Sequence, residues 1–165
     1  MASGPSFTKA LHATAVLAGS FLSGSMITIS IISMPALLDA TTQPSQIFHQ
    51  WIRMFHYGHR THTTISALTL TLYACTAWRR SAVNKPWGTM ILASVITVLM
   101  TPFTWVAMIP TNKTIAGFAS GSRDAAGVTI QQARRLITQW SWLHLARSFF
   151  PLAGAVVGMN QLLGD

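Results

Sequence analysis

The feature that most constrains this chain is the length of its apolar runs. Four stretches, 11–38, 44–79, 87–109 and 129–163, are each long enough to cross about 30 Å of hydrocarbon at about 1.5 Å per residue. Only 8% of the 165 residues are charged, against roughly a quarter in soluble domains, so a bilayer rather than water is the expected solvent. The formal charge of +8 would suggest nucleic acid if the cations shared one soluble face. They lie instead at the ends of apolar runs, as interfacial anchors do, and no nucleic-acid partner is expected. The predicted fold is all-α: an integral membrane four-helix bundle, one domain over 1–165, with two helices extended beyond the bilayer.

Local signals set the helix ends. The first run exceeds the 7–15 residues of a signal-peptide core and reads as a retained membrane helix. Pro44 suits a first helical turn, and Arg79, Arg80 and Lys85 stop the second helix. Pro86 and Trp87 open the third, Pro102 predicts a kink inside it, and Pro110 closes it. A Gly- and Ser-rich loop, Thr114 to Gly127, leads to a fourth helix kinked near Pro151. Two small-xxx-small pairs, Ser20/Gly24 and Gly154/Gly158, predict close internal packing, with oligomerisation through Gly154/Gly158 as the alternative use. Positive residues flank both ends of the bundle, so the charge rule assigns no orientation.

Missing residue types exclude several chemistries. The acids are Asp39, Asp124 and Asp165, there is no Glu, and none lies inside an apolar run. A carboxylate di-iron site and a two-carboxyl glycosidase are both excluded. The single Cys75 is expected to be a small buried hydrophobe, and no disulfide framework exists.

Threaded alternately up and down, the helices gather their polar residues at one end: His49, His56, His59 and His62; Thr104, Trp105, Thr111 and Asn112; Trp140, His144 and Arg147. Only His12 falls at the other. Trp140, His144 and Arg147 follow i, i+4, i+7 spacing and share a face, and Thr104 or Trp105, Met108 and Asn112 line a second stripe. Ionisable residues at membrane depth are costly and mark functional sites by default, so these stripes and the histidines of the second helix are expected to enclose one pocket. Blander readings stand beside this one. His49 and His62 suit interfacial or hydrogen-bonding roles, and Arg147 would satisfy carbonyls freed at Pro151. Trp51, Trp87, Trp140 and Trp142 would all serve as belt aromatics, the preferred reading for Trp87. His56 and His59, with His144, are the candidate metal ligands.

Four blocks make a pattern: Met34-Pro35 at the end of the first helix, W-x-x-M-F-H-Y-G-H from Trp51, P-F-T-W-x-x-M-x-P-T-N from Pro102 and W-S-W-L-H-x-x-R-x-x-x-P-L from Trp140. The pattern resembles the anthrone oxygenase family, small integral membrane proteins of fungal polyketide pathways. The stretch from Arg60 to Thr64 departs from it in lacking a proline. The resemblance implies a membrane-bound oxygenase that oxidises the central methylene of a polyketide anthrone with O2, giving an anthraquinone, in an internal membrane such as the endoplasmic reticulum. That methylene lies opposite a ketone between two aromatic rings, so its carbanion can reduce oxygen directly. A base is then the main requirement, with no cofactor needed. His56 or His59 is the expected base, with His144 in the same catalytic group. Arg147 and Asn112 are expected to stabilise the enolate. Trp51, Tyr57, Thr104, Trp105, Met108 and Trp140 are expected to hold the flat substrate. The competing readings are an iron, copper or haem oxidoreductase built on His56, His59 and His144, and a small proton-relay transporter.

Overall fold

The computed structural model describes residues 4–124 and 127–164; Asp165 lies outside the described residues. Every regular element among the described residues is helical, and the elements join into four rods. The first rod is α1 (Pro5–Thr28), a π-helical turn (Ile29–Ser33) and α2 (Met34–Ala40). The second is α3 (Pro44–Ser81), 38 residues that pass unbroken through 60–64. The third is α4 (Gly88–Val98), α5 (Met100–Phe103), a second π-helical turn (Thr104–Met108) and α6 (Ile109–Ala119). The fourth is α7 (Ile130–Leu163), which continues through Pro151.

The third rod corrects two expectations. Pro110 does not close it: the chain continues eleven residues as α6, with Pro110 in that helix's first turn, where its missing amide hydrogen leaves no bond unmade. The loop therefore starts after Ala119 rather than at Thr114. Gly121, at φ +74°, supplies the left-handed residue that follows the helix end. Both π turns end two residues before a proline, Pro35 or Pro110. A proline ring crowds the carbonyl four residues back, and a turn closed by i→i+5 bonds widens the helix there. Pro102 acts differently. It cannot donate to the Val98 carbonyl, and α4 ends at Val98, with the Leu99 amide donating to both Val95 (3.1 Å) and Ile96 (3.2 Å). At the start of α7, the Gln132 amide donates to Thr129 Oγ1 (3.2 Å) and the Thr129 amide to Gln132 Oε1 (2.9 Å), a reciprocal cap.

The rods pack as two compact units. The first comprises 4–24, 62–101 and 148–164, around Ala15, Tyr73, Ala77, Met90 and Ala93. Here Gly154 and Gly158 serve internal packing: a Cβ on Gly154 would strike Thr97 Oγ1 and the Ala93 carbonyl, and one on Gly158 the Tyr73 hydroxyl and Val16. Gly24 has nothing within 4 Å of such a Cβ, so the Ser20/Gly24 pair is not a packing seam. Cys75 is exposed, not buried as expected, because Tyr73, Thr76 and Ala77 take the inward positions of its turn. The second unit comprises 25–61 and 102–147, around Met34, Phe48, Trp51, Met108, Ile137 and Trp140.

Two rods, 6–40 and 88–119, are long and apolar enough to cross a membrane, each with mean hydropathy 1.9 over its best window. Only 39% and 22% of those windows is buried. Leu17, Phe21, Leu92, Val95 and Val106 face outward, the reverse of a soluble protein's core helix.

Candidate active site

Within the second unit, α3 carries a ladder of rings at helical spacing. Trp51 is fully buried and stacks on Phe55 (centroids 4.9 Å apart), which stacks on His59 (5.9 Å). A second ladder runs along α7, where Trp140 stacks on His144 at 4.7 Å, and the two meet where Trp51 and Trp140 pack edge to face at 5.6 Å. Such aromatic pairs add about 0.5–1.5 kcal/mol each beyond the area they bury, which fixes the rings as a frame.

Polar groups attach to this frame from three elements. From α6, Asn112 Oδ1 accepts from Trp140 Nε1 at 2.8 Å. In the second π turn, Thr104 Oγ1 accepts from Arg147 Nη1 at 3.1 Å. In the first, Ser30 Oγ lies 2.9 Å from His144 Nδ1, and the Ser30 carbonyl accepts from Ser141 Oγ at 2.9 Å. His144 and Ser30 are buried; Arg147, Thr104 and Asn112 are half-buried. Trp51 Nε1 and Arg147 Nε are buried with no acceptor among the described residues. A buried donor left unmade costs about 1–3 kcal/mol, so these two N–H groups are the unsatisfied polar points of the cluster.

The structure thus brings together Trp51, Trp140, His144, Asn112, Arg147, Thr104 and Met108, with His59 at the end of the α3 ladder. It leaves out three of the predicted residues. His56 is exposed and packs its ring only against Tyr57, at 5.7 Å, and Tyr57 itself is 65% exposed. At about 100° per residue these two fall about 140° and 240° round from Trp51, off the buried stripe. Trp105 is 64% exposed, whereas Met108 is buried. His49 is exposed, while His62 is buried in the first unit. Trp51, Met108, Trp140 and His144 are all buried in this cluster.

His56, His59 and His144 do not assemble as metal ligands. Among the described residues no three His, Cys, Asp or Glu side chains come together in a ligand group. An open groove elsewhere, between Leu70, Ala74 and Val98 in the first unit, carries no titratable side chain on its walls. Residue-by-residue reading of the sequence missed Ser30 and Ser141. The one signal available was the proline shortly after Ser30, which marks an altered helical register.

The profile of the family described as anthrone oxygenase matches residues 51–157, the stretch holding Trp51, Asn112, Trp140, His144 and Arg147. The chain is 48% identical to "Anthrone oxygenase AgnL2" of Paecilomyces divaricatus, over 92% of this chain and 94% of that protein. It is 37% identical to an "Anthrone oxygenase" of Emericella nidulans, covering 91% and 95% of the two chains. A "Noranthrone monooxygenase" of Aspergillus flavus is 42% identical, over 91% of this chain and 72% of its own length. No solved structure matches significantly.

Proposed function

The chain belongs to the anthrone oxygenase family, and from that premise we propose that it oxidises a polyketide anthrone to the anthraquinone, with His144 as the base. It is an oxygenase. The observation that carries the choice of base is that His144 is the histidine whose ring is held on both sides, by Ser30 at Nδ1 and by Trp140 against its face. His59 is exposed and stacks on Phe55, and it contributes less.

Nε2 of His144 takes a proton from the central methylene, and the charge spreads onto the ketone oxygen opposite. Arg147 Nε–H and Trp51 Nε1–H, which have no acceptor among the described residues, are the donors for that oxygen; placed in a water-poor core, they stabilise charge as it develops. The carbanion passes one electron to O2, and the resulting radical and superoxide join as a carbon-bound peroxide, which is then protonated. Loss of the second methylene proton breaks the O–O bond, leaving the new carbonyl and hydroxide, which leaves as water. One anthrone and one O2 thus give one anthraquinone and one water, with no outside reductant. The tricycle enters at the half-buried Arg147–Thr104 edge. The four rods cross an internal membrane, from which an apolar substrate partitions.

The test is the rate of anthraquinone formation by detergent-purified protein, corrected for spontaneous oxidation. Turnover is expected to survive a strong chelator, with no stoichiometric metal by elemental analysis. Loss on chelation and restoration by one metal would instead make the histidines ligands. His144→Ala is expected to lower kcat by about 10² or more, and His12→Ala in the first unit to change it less than about twofold. Equal losses at the two positions would remove the site from this cluster.

A further inference from the structure

We infer that Ser30 is the positioning residue of the base, selecting the tautomer in which His144 Nε2 carries the lone pair. This rests on His144 being the base. The π turn gives Ser30 its place. The Met34 amide bonds to the Ile29 carbonyl, five residues back, and within that widened turn Ser30 alone is buried. Both of its polar atoms reach α7: Oγ lies 2.9 Å from His144 Nδ1 and the carbonyl accepts from Ser141 Oγ, one helical turn before His144, at 2.9 Å.

A hydroxyl has one hydrogen and two lone pairs. Ser30 Oγ also lies 3.3 Å from the Met26 carbonyl, which can only accept. With the hydroxyl hydrogen on Met26, Oγ must accept from His144, so Nδ1 carries the ring hydrogen and Nε2 is left to take a proton. The same chain of bonds serves the ring after it gains that proton, because Nδ1–H still donates to Oγ and no group has to turn. An orienting acceptor behind a catalytic histidine is commonly a carboxylate. Here Asp39 is exposed at the end of α2 and Asp124 lies in the loop after α6, so the hydroxyl and a backbone carbonyl take that part.

The experiment is a double-mutant cycle on turnover in detergent, with helicity and thermal unfolding recorded for each variant. Ser30→Ala is expected to lower kcat about tenfold, the kinetic equivalent of one hydrogen bond, with KM changed less than about twofold. Ser30→Thr, which keeps the hydroxyl, restores kcat to within about threefold of the natural chain. Ser30→Cys, close in volume with a poor acceptor, carries the same expectation as Ala and replaces it should that variant not fold. In a His144→Ala background, Ser30→Ala costs nothing further. Unchanged kcat in Ser30→Ala, an equal loss in the His144→Ala background, or a Thr variant no better than Ala would each overturn the inference alone. Full turnover in His144→Ala would instead remove the base assignment, and this inference with it.

Discussion

At the scale of the residue, the proposed mechanism separates groups that touch substrate from groups that hold them. Arg147 belongs to the first kind by its free Nε and to the second by its bond to Thr104. A planar guanidinium makes both contacts at once, and a lysine ammonium on a shorter reach does not. Arg147→Lys is therefore expected to reduce kcat about tenfold or more, since hydrogen bonds to charged groups are the stronger ones. Steady-state turnover checks this, and an unchanged kcat would leave Arg147 a structural bond to Thr104. What the sequence showed at this scale followed side-chain period. Trp140, His144 and Arg147 share a face because their spacing is that of a straight α-helix. His56 and Tyr57 lie off the buried stripe, because being near His59 along the chain is not being on its face. Ser30 was invisible because serine is common in apolar helices and its direction depends on a register that composition does not state.

At the scale of the element, close packing in the first unit depends on one missing methyl group. A Cβ at Gly154 would press into Thr97 and the Ala93 carbonyl, both part of α4 and unable to withdraw cheaply. Gly154→Ala is expected to destabilise the protein by about 1–3 kcal/mol, the range for overfilling a packed interior. Gly24→Ala, with open space around it, should be neutral or stabilise by about 0.4–1 kcal/mol. Thermal unfolding of the two variants in the same detergent compares them directly. The four rods were legible because length and apolarity are properties of composition. Their interruptions were read less well. Proline was taken as a stop at Pro110 and is one only where no wider turn relieves it.

At the scale of the whole molecule, two rods have the length and apolarity to cross a bilayer, and their apolar side chains face outward. The protein is expected to stay in the membrane pellet through an alkaline carbonate wash and to be released by mild detergent. Release by carbonate alone would mean that those outward faces are covered by protein rather than lipid. The second and fourth rods interrupt their apolar stretches with the polar residues of the site, which lowers their mean hydropathy. Hydropathy alone therefore fails to mark the two rods that carry Trp51, Trp140, His144 and Arg147.

The two π turns have a consequence for how this site can change. Each is a helix holding one residue more than an α register needs, and Ser30 and Thr104 both sit within that surplus. Deleting one residue of either turn other than Ser30 or Thr104 would close it to an α turn, and because five residues of a wide turn and four of an α turn sweep nearly the same angle, roughly 400°, the flanking helices would keep their faces. Only the widened turn would change, so the pairings made from within it, Ser30 with His144 or Thr104 with Arg147, would be disturbed with every side chain of the proposed site still present. Such a site is specified by a count of residues as much as by their identities, and substitution scans pass over counts.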